Sequence, residues 1–263
     1  MSKHLKILTI AWQNGLAYKI SFLLWRFRQI VNTMLPLILW SAIYRDTANV
    51  VGYTQDQMIG YILIGNMIMS LVMATALHTV PRDVYTGDLS MILLKPVGIF
   101  RSYLMADVAD KLKNLIFVLL ESAFFWAILR PQIAMPDWPV LSLALVWVLM
   151  GVGIHFWVEM LFGSIGFWSP DVWGPKFLFF IFVELAAGRA FPLDILPQQF
   201  QTFFYLTPFP YFGFVQTQAL LGRLPQDQFV STTISMTVWF IVLGLITKFV
   251  WKRGMKDYAA AGR

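Results

Sequence analysis

The sequence has no cysteine and few charges: of its 263 residues, 13% are Asp, Glu, Lys or Arg. Without thiols there is no disulfide, no thiolate metal site and no cysteine nucleophile. A soluble domain carries about 25% charge to wet its surface. Here 58% of residues are hydrophobic and 16% aromatic, the balance of a chain whose solvent is lipid. The pattern G-x-x-x-x-G-K-[ST] occurs nowhere. The chain therefore has no phosphate-cradling loop of that type. There is no internal repeat and no low-complexity linker, so 1–263 reads as a single domain. The N-terminal bases are not followed by an apolar core and a small-residue cleavage site, so no signal peptide is expected.

What the chain does have is long apolar stretches. A spanning helix needs about 20 mostly apolar residues, and six segments qualify as candidates: 27–44, 57–80, 108–129, 140–161, 171–188 and 228–250. The expected fold is an all-α polytopic membrane protein with six transmembrane helices. Arg45-Asp46 closes the first and Pro81-Arg82-Asp83 the second. Three prolines in 130–139 part the third from the fourth, because proline lacks the amide that a continuous helix needs. Ser169 is expected to cap the fifth span, with Pro170 at its first position. The third begins among Asp107, Asp110, Lys111 and Lys113. It reads as a helix that starts outside lipid and then enters it, with Asp107 and Lys111 paired at i,i+4.

A net charge of +6 points to orientation in such a chain rather than to nucleic acid, since bases gather on the cytoplasmic side. With both termini cytoplasmic, only Arg45, Arg130, Arg189 and Arg223 face outward, and the other sixteen of twenty bases lie inside. Two segments fall outside the spans. Residues 1–26 alternate bases with apolar residues and suit an interfacial amphipathic helix, with Trp12 and Trp25 at headgroup depth. Residues 189–225 are broken by Pro192, Pro197, Pro208 and Pro210, yet too apolar for a water-exposed loop. They are expected to form an external re-entrant hairpin of two short helices. Pro197 opens the first, Pro208 ends it, and Gly222 closes the second.

The stretch "TGDLSMILLKPV", 86–97, belongs to neither flanking span and lies in the cytoplasmic loop 81–103. Leu89, Ile92, Leu93 and Pro96 recur at helical spacing, Thr86 or Asp88 can cap the first turn, and Lys95 suits the C-terminal end of the dipole. Two turns are unstable alone, so the element is held by a partner or lies on headgroups. This stretch resembles the Gly-acid-Leu…Leu-Leu-Lys/Arg-Pro segment of ABC-2-type permeases. "FPLDILPQQFQTFFYLTPFPY", 191–211, resembles the same family's segment before its last span.

The resemblance implies the membrane subunit of an ATP-driven exporter in the plasma (inner) membrane. The subunit itself would be non-catalytic, with ATP and Mg on a separate ATPase subunit and no cofactor in this chain. A second permease chain, identical or not, would complete the path. It also implies that 86–96 docks on the ATPase. Thr86, Gly87 and Asp88 would form the turn and cap, Leu89, Ile92, Leu93 and Leu94 the apolar contact, and Lys95-Pro96 the end of the element.

Glu121, Glu159 and Glu184 fall inside spans, and His155 sits i,i+4 from Glu159, in reach of a hydrogen bond. Embedded charge is expensive, about 2.5–3.5 kcal/mol at the bilayer centre on insertion scales. These four residues therefore line a substrate path or subunit interface, or lie near span ends as structural groups. Phe124, Phe125 and Trp126, and Phe177, Phe179 and Phe180, read as lipid-facing or as contacts for an apolar substrate, and Gly151, Gly153, Gly163 and Gly166 as points of close helix approach. An intramembrane serine enzyme built on His155 and Ser164, a proton-coupled secondary transporter using the glutamates, and an assembly subunit are the competing readings. The apolar external segment suits a hydrophobic or amphipathic cargo.

Overall fold

The computed structural model describes residues 19–258; the stretch 1–18, with Trp12, lies outside the described residues. Helix α1 (Lys19–Ile43) runs unbroken through 26 and 27. The boundary expected there between an interfacial helix and a first span is not present, because Leu23, Leu24 and Phe27 continue one exposed apolar face with no breaker between them. A short antiparallel hairpin follows, β1 (Asn49–Val50) and β2 (Tyr53–Thr54), with Asn49 opposite Thr54. Thr54 then opens α2 (Gln55–Val72) with a reciprocal capping box. Its hydroxyl accepts from the Gln57 amide at 3.3 Å, and the Gln57 side chain accepts from the Thr54 amide at 3.1 Å.

Helix α2 stops well short of the expected residue 80. The chain passes through a 3₁₀ turn (Leu77–Thr79) into α3 (Val80–Tyr85), bent by 54° from α2. Pro81 is thus a starter and not a stop: it sits in the first turn of α3, where a missing amide is harmless. Helices α4 (Leu89–Leu93), α5 (Ile99–Leu129) and α6 (Trp138–Gly163) come next, α6 ending in a 3₁₀ turn at Ser164–Phe167. Then come α7 (Trp173–Ala186), α8 (Gln198–Tyr205), α9 (Phe214–Leu220) and α10 (Gln228–Asp257). Ser169 does not cap α7. Its hydroxyl goes to the Asp171 carbonyl, and the Asp171 carboxylate accepts from the Trp173 amide at 3.0 Å.

The molecule is an all-α membrane protein. Among the described residues, α5, α6 with its terminal turn, and α10 are long and apolar enough to cross a membrane, and α2 with its bent continuation counts as a fourth if the pair is one broken span. Helix α1 is interrupted by Arg26, Arg28, Gln29, Asn32 and Thr33. Helix α7 has 14 residues, about 21 Å at 1.5 Å per residue, against a hydrocarbon core of about 30 Å. Hydropathy found where helices lie but not which of them cross on their own.

The main core joins α1, α2, α6, α9 and α10 around Met58, Tyr61, Trp147, Phe212 and Phe214, all buried. A second core gathers Leu77, Val80, Leu89, Phe156, Met160, Phe167 and Trp251 where α3 and α4 meet α6 and α10. Leu120, Phe124, Leu245 and Phe249 are exposed, a pattern that a water-soluble surface would not tolerate and lipid does.

The segment 189–225 holds the two short helices, on either side of a 3₁₀ turn at Phe209–Phe212. None of α8 is buried, whereas all but Leu220 of α9 is, between α2 and α6. Its anchor is the β-hairpin. The Tyr53 hydroxyl donates to the Asp194 carboxylate at 2.8 and 2.9 Å and accepts from the Gln218 side chain at 2.6 Å. The Arg223 guanidinium lies 3.7 Å from the Tyr53 ring centroid and donates to the Gly52 carbonyl. Burial, and then the Asp194 charge, raise the Tyr53 pKa well above its ordinary value, so the phenol stays a donor at any physiological pH. Tyr53→Phe leaves a buried amide and a carboxylate without their shared partner. We expect a loss of about 1–3 kcal/mol, read as a lower thermal unfolding midpoint in detergent.

Candidate functional site

The arm from α2 to α5 is built to hold a very short helix in place. Gly87 adopts φ +87°, which a side-chain-bearing residue avoids, and this turns the chain from α3 into α4. α3 lies against the 3₁₀ turn after α6 so closely that a Cβ at Gly166 would collide with the Pro81 carbonyl. Leu89 is fully buried in the second core and Ile92 packs on its edge. The first-turn cap differs from expectation. Neither Thr86 nor Asp88 accepts from the helix amides; Thr86 instead donates to the Arg82 carbonyl at 2.9 Å and to Asp88 at 2.8 Å. The amide of Ser90 donates to the Tyr258 hydroxyl at 3.0 Å, and that hydroxyl donates to the Gly87 carbonyl at 2.7 Å. α4 is thus fastened to the end of α10 by a residue 168 positions away, a distance no local pattern reveals.

The other side of α4 is free. Leu94 is 81% exposed, Met91 65% and Leu93 43%, and Lys95 and Pro96 are exposed beside them. Leu89 therefore anchors the element within this chain, while Met91, which sequence reasoning passed over, joins Leu93 and Leu94 on the outward face.

The bend between α2 and α3 has its own support. Lys111 of α5, buried, donates from Nζ to the Val72 carbonyl at 2.7 Å and to the Ala74 carbonyl, and pairs with buried Asp107 at 3.5 Å. The last carbonyls of a helix have no internal donor, and a cation suits the negative end of the dipole. The Asp107–Lys111 pair was legible at i,i+4; its attachment to the α2 break was not, because that needs two helices brought together.

Each embedded acid has a cation. Arg26 donates to Glu121 at 2.8 Å, Lys176 to Glu159 at 2.6 Å and Arg189 to Glu184 at 2.7 Å. His155 Nε2 stands 3.8 Å from Glu159, beyond a hydrogen bond, and the ring lies edge-on to Phe212. The expected His155–Glu159 bond is thus displaced by Lys176, whose longer side chain reaches the carboxylate from α7. Glu121 and Glu184 flank the seam between α1 and α2, where Gln29 donates to Ser70 at 3.1 Å and Arg189 to Asn66 at 2.9 Å. His155 and Glu159 belong to a second group with Lys176. The four residues do not form one cluster. Ser164 donates to the Leu161 carbonyl at 2.5 Å, the ordinary role of a serine at a helix end and not that of a nucleophile.

The described helices thus form an apolar bundle that anchors a short helix with an outward apolar face. The family model described as "ABC-2 family transporter protein" matches residues 30–262. The chain belongs to that family. No curated protein matches it. The matched region takes in α1 from residue 30 and every described helix after it, so this ABC-2 permease has its short helix, its bent arm and its three embedded glutamates within the family region, with Arg26 and Gln29 just before it. As a permease it is a membrane transport component of an ABC transporter.

Proposed function

We propose that this chain is the non-catalytic permease of an ATP-driven exporter in the plasma membrane, with its α4 arm docking on a separate ATPase subunit that carries ATP and Mg. The family match supports the transporter, and one observation carries the coupling role. Met91, Leu93 and Leu94 are presented to the outside by a helix whose own stability is supplied from behind by Leu89, Ile92 and Tyr258. A helix of five residues lying passively on headgroups would need no such scaffold. In this reading both termini are cytoplasmic, two permease chains enclose the path, α1 and α7 complete six membrane-crossing segments with help from their neighbours, and 189–225 sits in the outer leaflet.

The alternative, a proton-driven carrier using the embedded glutamates, has less support. Glu121, Glu159 and Glu184 are each engaged by a cation, and a proton carrier would have to exchange that partner on every cycle. The test is purification of the tagged chain from its native membrane in mild detergent. We expect an ABC ATPase subunit to co-purify and the pair, in vesicles, to move an amphipathic dye only with hydrolysable ATP. Dye movement driven by a pH gradient without ATP would overturn the reading.

A further inference from the structure

The end of α10 carries Lys248, Lys252, Arg253 and Lys256, all exposed. The helix cannot turn to hide them, because its other side is locked. Thr247 Oγ1 donates to the Trp157 carbonyl at 3.1 Å and Trp251 Nε1 to the Met160 carbonyl at 2.7 Å, and a Cβ at Gly254 would collide with the Phe167 ring. Along the free side Val238, Ile241, Leu245 and Phe249, each more than half exposed, follow one another three or four residues apart. Lys252 and Lys256 continue the same stripe at the same spacing. Lys248 and Arg253 flank it, and the Lys248 ammonium stands 5.5 Å from the Trp157 ring centroid. Cations elsewhere in the bundle are answered: Arg26, Lys111, Lys176 and Arg189 each pair with a carboxylate. Among the described residues, the four bases of α10 pair with none. Asp257, the acid nearest them in sequence, lies about 100° round the helix from Lys256.

We propose that this face binds an anionic phospholipid, its tails along Leu245 and Phe249 and its phosphate among Lys252, Arg253 and Lys256, and that occupancy steadies the hold of Tyr258 on α4. The inference rests on α10 crossing the membrane and not on the exporter reading. Orientation in a membrane asks only for bases near the end of a span. A stripe that passes from apolar to basic without changing face fits one molecule with a tail and an anionic head. An acidic protein surface would match the bases but not the apolar half that continues them. A zwitterionic head brings its own cation and leaves the bases unanswered. Tyr258 follows Lys256 by two residues, and its hydroxyl accepts from the Ser90 amide and donates to the Gly87 carbonyl. Fixing the end of α10 therefore fixes the fastening of α4.

For the test, the full chain is purified in mild detergent and titrated with phosphatidylglycerol or with phosphatidylcholine of the same tails, and retained lipid is counted by native mass spectrometry. We expect phosphatidylglycerol to bind about tenfold more tightly. The triple variant Lys252→Gln, Arg253→Gln, Lys256→Gln loses about a hundredfold, since each base near an anionic head contributes about fivefold. Lys252→Arg with Lys256→Arg keeps the charge and keeps the lipid. In the parent itself, added salt weakens phosphatidylglycerol binding and leaves phosphatidylcholine unchanged. Equal binding of the two lipids, binding that ignores salt, or undiminished binding by the triple variant overturns the site. A rise in the parent's thermal midpoint with glycerol phosphate, the head without tails, makes a soluble anion the ligand and overturns the lipid. Loss of a co-purifying protein from the triple variant, with phosphatidylglycerol retained, assigns the face to that protein and overturns it too. For the second step, hydrogen exchange of the Ser90 amide slows on adding phosphatidylglycerol to the parent but not to Tyr258→Phe, which still binds the lipid. Unchanged exchange in the lipid-bound parent overturns the link to α4.

Discussion

Met91→Asp together with Leu94→Asp abolishes co-purification of the ATPase subunit and leaves the permease folded. Both side chains are more than half exposed, so the free chain loses nothing by their change. Each fully buried large apolar side chain contributes about 1.5–3 kcal/mol. Losing two from the docking face therefore weakens association by about 3–6 kcal/mol, a hundredfold or more. The matched comparison is Leu89→Ala. Leu89 is fully buried, so its truncation destabilises the chain by about 2–5 kcal/mol and lowers the thermal midpoint in the absence of any partner. Retention of the ATPase by the double Asp variant, at the parent's thermal midpoint, would show that docking lies elsewhere. The distinction matters because the spacing of Leu89 and Leu93 makes them look equivalent, while burial places Leu89 in the fold and leaves Leu93 exposed.

Lys111→Met uncouples ATP hydrolysis from transport. The substitution keeps the length and apolar stem but removes the donor to Val72 and Ala74 and strands Asp107. Breaking a buried pair costs about 3–5 kcal/mol, and two carbonyls at the end of α2 are left without their donor. The double variant Lys111→Met with Asp107→Leu separates stability from coupling. Removing both charges restores most of the thermal midpoint, since a buried pair replaced by apolar groups is often close to neutral. It leaves the bend unpinned, so ATP turnover continues with transport lost. Recovery of transport along with stability would show that Lys111 only balances Asp107. Lys111 joins α5 to the end of α2 at the bend that leads into the α3–α4 arm, which makes it the residue to test for a positioning role.

How much of this was legible before folding differs element by element. Apolar runs located the helices because a lipid-facing helix must be apolar over most of its surface, a property of residues counted along the chain. They misjudged α2 because Pro81 carries two meanings, stop inside a helix and start at its first turn, and only the 54° bend decides between them. They also set a boundary at residue 26 that α1 ignores, since charge marks a change of solvent and not a break in backbone geometry. The i,i+4 pairing of Asp107 with Lys111 is local and survived. That of His155 with Glu159 gave way to Lys176, because a competing cation from another helix is invisible to spacing.

By itself the sequence determined the class of solvent, the helical content, the lack of a nucleotide-binding loop of that type and the presence of a short helical element between two longer ones, though not its five-residue extent. These depend on composition and on neighbours along the chain. Tertiary structure alone decided which face of that element is free, what fastens it, which cation answers each buried acid, and which polar side chains meet between helices. Those properties depend on residues far apart in sequence meeting at a few ångströms: Tyr258 on Ser90, Lys111 on Val72, Arg26 on Glu121 and Arg189 on Asn66. A linear pattern carries no distance between them, and packing supplies it.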